Sequence, residues 1–207
     1  MNGNPERLPR GRHRLSREQV VASQRARILT GFIETVAAQG YVHTSVADVL
    51  RVAGVSRETF YQQFTSKDDC FMAAYDAAVG VVLGGIGDSL GGDGAALGTL
   101  ERLDGALGAY LETLAAEPAY ARVFLIEVYA AGPEALARRA ESQQRFVTLV
   151  AALLGAETDQ ERFVAEALVA ATSALVTARI VASDWEGLAA LRGPLVALTG
   201  QLIAGQR

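Results

Sequence analysis

Residues 44–71 read TSVADVLRVAGVSRETFYQQFTSKDDCF, two short amphipathic segments joined by an Ala-Gly-Val turn. Val46, Val49, Leu50 and Ala53 recur at three- and four-residue spacing, which makes one buried stripe on a first helix that the hydroxyls of Thr44 and Ser45 are able to cap. Gly54 ends that helix, because a chain turning out sharply adopts a positive φ that costs glycine nothing. Ser56 caps a second helix on which Phe60 and Phe64 lie one turn apart. At about 100° per residue, Glu58, Thr59 and Gln62 then point away from the phenylalanine pair and Arg57 and Tyr61 flank it. Any small helical hairpin has an apolar inside and a polar outside. The turn glycine, the cap and the aromatic pair together have the spacing of a helix-turn-helix, whose second helix enters the DNA major groove. An Arg there forks onto guanine and a Gln onto adenine, while Tyr, Thr and helix N-terminal amides hold phosphate oxygens.

The distribution of charge points the same way. Through Lys67 the chain carries ten basic and five acidic side chains, net +5, although the 207 residues together are net −4, so the remainder is net −9. Binding to a polyanion is set by the local field, and this asymmetry favours DNA at one end only. The opening 15 residues, MNGNPERLPRGRHRL, contain Pro5, Pro9 and Gly11 and no helical period. They are expected to form a flexible basic arm, either a solubilising tail or a device that places Arg12 and Arg14 in the minor groove.

The string T-S-V-A-D-V…A-G-V-S-R-E-T-F-Y-x-x-F-x-S-K-D, preceded by A-A-Q-G-Y, resembles the tetracycline-repressor (TetR-type) family of transcriptional regulators over about residues 17–75. The resemblance implies an all-α homodimer. Its N-terminal three-helix DNA-binding domain would be followed by a larger helical domain that dimerises and binds a small effector. Carried over, Thr44, Ser56, Arg57, Thr59, Tyr61, Gln62 and Lys67 fall where family members touch DNA, and Phe60 and Phe64 where they pack the domain. With Arg12, Arg14, Ser45 and Glu58 these make the expected DNA-binding set. The chain departs from the family at Leu50, where a small Ala is usual, which implies a slightly wider crossing of the motif helices. It departs again at Gln63, where a Tyr or His is frequent, which puts one aromatic phosphate contact in question.

The expected domains are the arm at 1–15, a helix-turn-helix domain at 16–65 and an effector-binding and dimerisation domain at 66–207. Ser16 and Gln19 form a capping box that opens a helix with Val21, Ile28, Leu29, Phe32, Ile33 and Val36 inside and Gly40 as its end. A fourth helix starts at Ser66 and runs through Phe71, Tyr75 and Val79; the GGIGDSLGGDG stretch at 84–94, lacking G-x-G-x-x-G and Walker patterns, is expected to be a flexible loop rather than a phosphate cradle. Further helices are expected at 97–116, 118–130, 133–154, 158–183 and 185–204. The last two are apolar on more than one face: Phe163, Ala167, Ala170, Ala171, Ala174 and Val181, then Leu188, Leu191, Leu195, Leu198 and Leu202. They are either consumed in one core or, as the family resemblance implies, shared in an intersubunit bundle that presents two recognition helices to a palindromic operator on double-stranded DNA.

Tyr110, Tyr120, Phe124, Tyr129, Phe146 and Trp185 are the candidates for an aromatic-walled effector cavity, although aromatics at helical spacing are also what a core requires. Arg122 and Glu127 are either an anchor for a charged ligand group or a solvated stripe. Cys70 stands alone, and neither His13 nor His43 has a partner at ligand spacing, so no metal, cofactor or catalytic residue is expected. An all-helical small-molecule enzyme is the alternative, but G-x-S-x-G, H-E-x-x-H and a Cys/His pair are all lacking. No signal-type hydrophobic run follows the arginines and no uninterrupted apolar stretch approaches ~18 residues, so the cytoplasm is expected and a membrane partner is not.

Overall fold

The computed structural model describes residues 16–91 and 97–204. Ten α-helices follow in chain order among them: α1 (Arg17–Gln39), α2 (Val46–Ala53), α3 (Arg57–Gln63), α4 (Lys67–Leu90), α5 (Thr99–Ala116), α6 (Pro118–Leu125), α7 (Pro133–Leu154), α8 (Asp159–Val181), α9 (Trp185–Ala190) and α10 (Arg192–Ala204). A 3-10 turn, Glu127–Tyr129, follows α6.

Local chemistry starts and stops most of these helices. Ser16, Ser45, Ser56, Ser66 and Thr158 each accept a bond from the backbone N–H three residues on, and at Ser16, Ser45 and Thr158 the reciprocal half of the capping box is also made. Gly54 at φ 62° and Gly155 at φ 68° close α2 and α7 in the left-handed conformation. The expected helices at 97–116 and 133–154 match α5 and α7 within two residues.

Three expectations are corrected. α4 runs on to Leu90 through Gly80, Gly84, Gly85 and Gly87, so most of the supposed loop at 84–94 is helical. Ile86 in this stretch is buried, and that burial along with packing on α5 outweighs the low helix propensity of glycine. Residues 92–94 lie outside the described residues. The expected helix at 118–130 tightens into the 3-10 turn after Leu125, and the one at 185–204 is divided at Leu191 into α9 and α10.

α1, α2 and α3 close around Phe32, Val49, Phe60 and Phe64, all buried, with Phe71 and Tyr75 of α4 continuing the same core into the body. At the crossing of α1 and α2, a Cβ on Gly31 would stand 2.9 Å from the Ala53 nitrogen, so the close approach is secured by Gly31. Cys70 is fully buried, as expected of a small core residue.

By length and composition alone α4, α8 and the 185–204 segment are apolar enough to cross a bilayer. Half of the relevant window of α4 is inside the molecule, whereas α8 and the 185–204 segment keep most of theirs outside it.

Candidate nucleic-acid interface and effector cavity

α3 is anchored from beneath by Phe60 and Phe64, whose rings lie 5.6 Å apart. That anchoring leaves Arg57, Glu58, Tyr61 and Gln62 exposed on one surface, with Thr59 half-buried beside them. Arg57 stacks over the Tyr61 ring at 5.5 Å, and Gln62 Nε2 donates to Glu58 Oε1 at 3.2 Å. Ser45 and Ser56 are exposed, but their hydroxyls are engaged as caps, the first bonded to Asp48 and the second to the Thr59 amide and hydroxyl. Two hydrogen bonds from Ser45, first side chain and then backbone, hold the Asp48 carboxyl down at about 2.

Thr44 does not belong on this surface. It is 3% exposed and its hydroxyl donates to the Gly40 carbonyl at 2.8 Å, because the α1–α2 turn folds it inward; Ser45 alone caps α2. Arg12 and Arg14 lie outside the described residues. Two of the arginines counted in the basic head have internal duties that spacing could not announce. Arg27 donates to the carbonyls of Ala53 and Gly54, each at 2.7 Å, and so clamps the helix-turn-helix turn. Arg25 covers the Phe64 ring at 4.4 Å and donates to the Gln63 carbonyl at the end of α3.

The joint between this head and the body is built on Tyr41. Its amide donates to Glu127 Oε2 at 2.8 Å, its hydroxyl donates to Asp68, and its carbonyl accepts from Lys67 Nζ at 3.1 Å, with the Lys67 ammonium 4.0 Å above the ring. Lys67 therefore braces the joint with part of its ammonium. Glu127 is buried, and its other oxygen accepts from Arg122 Nε at 3.1 Å. The Arg122–Glu127 pair, half-exposed at Arg122 and buried at Glu127, is a strut between α6 and the α1–α2 turn.

From Tyr41 an unbroken series of aromatic contacts leads into the body. Tyr41 meets Phe71 at 5.0 Å, Phe71 meets Tyr75 at 6.5 Å, Tyr75 meets Phe124 at 5.8 Å, and Phe124 meets Phe146 at 5.9 Å. The last three line a cavity of about 110 Å³ between α4, α5, α6, α7, α8 and α10. Tyr110, which meets Phe146 at 6.3 Å, lines it too, and Leu103, Leu107, Leu149, Leu168 and Leu195 make most of the remainder apolar.

Of the six aromatic candidates the structure thus brings three together here: Tyr110, Phe124 and Phe146. Tyr129 is exposed and lines an adjoining shallow recess with Arg139, Gln143 and Ser173. Tyr120 and Trp185 are not lining residues. Tyr120, in the first turn of α6, packs on the outside of the core, and Trp185 stands partly exposed at the start of α9. The polar lining, Tyr75, Arg139, Gln143, Thr172, Ser173 and Thr199, carries no signal in the local sequence pattern. Arg139 and Gln143 sit in the polar run ARRAESQQRF, where nothing local separates an inward from a solvated side chain.

Comparison with known proteins fits both halves. The family described as "Bacterial regulatory proteins, tetR family" matches residues 28–74, which hold the helix-turn-helix. No curated protein matches the chain in sequence. In structure it is similar to a TetR-like transcriptional regulator from Rhodococcus sp. RHA1, at TM-score 0.69 and 22% identity over 90% of this chain and 100% of that one. It is similar also to the fatty acid degradation regulator FadR from Bacillus halodurans, at TM-score 0.71 and 22% identity over 84% and 93% of the two chains. For FadR from Bacillus subtilis in complex with stearoyl-CoA the TM-score is 0.71 and the identity 19%, over 84% and 96%. The chain therefore follows the fold of these regulators, and its residues 28–74 are similar to the helix-turn-helix segment of the tetR family of bacterial regulatory proteins.

Proposed function

We propose that the protein is a homodimeric, cytoplasmic transcriptional repressor that leaves a palindromic operator when a small, largely apolar effector fills the cavity of the body. The observation that carries the reading is the outward face of α3, where Arg57, Tyr61 and Gln62 stand exposed over a buried phenylalanine pair in the basic part of an acidic chain. Arg57 and Gln62 are the base-reading side chains in this account, and Tyr61, Thr59 and the remaining Lys67 donors hold phosphates.

Dimerisation is supported by the exposed face of α8 and α10. Phe163 is 62% and Val181 63% exposed, Leu175, Leu198 and Leu202 are exposed beside them, and Ala167, Ala170, Ala171 and Ala174 leave room for close helix contact. Leu188, Leu191 and Leu195 are buried within one chain and take no part. A two-fold dimer would set two α3 helices about one turn of DNA apart, ~34–36 Å. The B. subtilis FadR, of similar fold, is in complex with stearoyl-CoA, which supports reading the cavity here as the effector site.

Selection from a random DNA library by the purified protein at near-physiological salt tests this function. An enriched palindrome is the expected result. No enrichment from a folded dimer would overturn it, since non-specific attraction is suppressed under those conditions.

A further inference from the structure

Arg139 lies in the cavity wall without a carboxylate. Its Nη1 donates to Gln143 Oε1 at 3.0 Å, its Nη2 donates to Ser173 Oγ at 3.2 Å, and the Tyr129 ring covers the guanidinium at 5.0 Å. Its Nε is buried and has no hydrogen-bond partner among the described residues. The same is true of the Tyr75 hydroxyl, on a side chain that is 0% exposed and lines the same cavity. Ser142 lies near enough to Tyr75 to act on it, but gives its own proton to the Arg138 carbonyl at 3.0 Å, and the pair does not reach hydrogen-bond geometry.

These two donors stand in one electrostatic neighbourhood. Burial raises the Tyr75 and Tyr110 hydroxyls above their ordinary range, so both stay protonated, and the Arg139 charge opposes the rise at each. A positive charge and two orphaned donors in an apolar cavity are costly unless something negative meets them. The acidic neighbours are engaged elsewhere: Asp76 pairs with Arg138, and Glu141 does the same.

We propose that the cavity recognises a small organic monocarboxylate, its carboxylate held by Arg139 and Tyr75 and its apolar body packed among Leu103, Leu107, Phe124 and Leu168. One guanidinium and neutral hydroxyls match a single negative charge, and the leucine-rich remainder matches a hydrocarbon or aromatic body. The proposal rests on the reading of this cavity as the effector site and specifies the chemistry it takes.

The test uses the full chain with hexanoate, octanoate, benzoate and phenylacetate, each beside its own primary amide, read by calorimetric titration and by operator affinity. The expected result is that at least one carboxylate binds in preference to its amide. Arg139→Met should then weaken that carboxylate about 10- to 100-fold and leave the amide unchanged, while Arg139→Lys restores part of the preference. Tyr75→Phe, which removes only an unpaired hydroxyl, should weaken the carboxylate about 10-fold without lowering the melting temperature of the free protein. Amides that bind as well as acids and release DNA would overturn the monocarboxylate while leaving the effector cavity standing. A carboxylate that binds through Arg139 without moving operator affinity would uphold the site chemistry and remove its regulatory role. Binding by no probe, or an Arg139→Met variant that loses only its dimeric state, would overturn the proposal.

Discussion

Arg57 and Tyr61 touch each other, yet they act on different parts of DNA in the proposed interface. Arg57→Ala should reduce discrimination at particular base pairs by about 1–3 kcal/mol, whereas Tyr61→Phe should weaken specific and random DNA alike. Competition binding against operator and scrambled duplexes separates them; equal losses on both duplexes for Arg57→Ala would reject its role. Asp48 makes a pH prediction. Its folded carboxyl, held down to about 2 chiefly by the Ser45 hydroxyl, contributes stability that is complete above the ordinary value of 3.8 and disappears as pH falls through about 2. The gap in melting temperature between the native protein and Asp48→Asn should therefore be constant at pH 5–7 and shrink between pH 4 and 2. Residues whose work is local could be read from sequence, as the capping serines were, because both partners lie within three positions. Arg27, Glu127 and Arg139 could not, since their partners are 26, 86 and 34 residues away.

Glycines divide by what surrounds them, and the elements follow. α1 and α2 cross where a Gly31 Cβ would press on the Ala53 backbone, so Gly31→Ala should destabilise the head by roughly 1–3 kcal/mol in urea unfolding. On exposed Gly84 in α4 a Cβ meets nothing within 4 Å, and Gly84→Ala should stabilise by about 0.5–1 kcal/mol. Opposite signs for the two substitutions are expected in one denaturant series, and a stabilised Gly31→Ala would show that the crossing is loose. The same contrast explains why α4 extends beyond what its composition suggests. A run of glycine, aspartate and serine has the composition of a loop, and only packing against α5 shows it to be helical. The helix-turn-helix was legible because its spacing, cap and turn glycine are short-range, whereas the break at Leu191 carries no such signal. The cavity was half legible: Tyr110, Phe124 and Phe146 are aromatic wherever they lie, but nothing in the local pattern distinguishes them from Tyr120 or Trp185.

Across the whole molecule, the α1–α2 turn is one route by which a ligand in the proposed effector cavity would reach α3. The Glu127 carboxylate, buried and bonded at once to the Tyr41 amide and to Arg122, ties that turn to the stretch just after α6. Phe124 lines the cavity only three residues before it, and the aromatic series from Phe124 through Tyr75 and Phe71 reaches the Tyr41 ring from the other side. A ligand able to shift α6 would move the head through these connections, by the difference in its affinity for the two arrangements. Glu127→Gln keeps the shape but weakens the charge-assisted bond to the Tyr41 amide. It should lower stability modestly, leave operator affinity without ligand and ligand affinity without operator near their native values, and shrink the factor by which each weakens the other. That factor is the same measured from either side, so ligand titration with and without operator must agree with operator titration with and without ligand. Reduced mutual antagonism with both separate affinities preserved would establish Glu127 as a coupling strut. An unchanged factor would mean that the aromatic series alone carries the signal, and a paired Phe71→Leu substitution would then show the loss that Glu127→Gln did not.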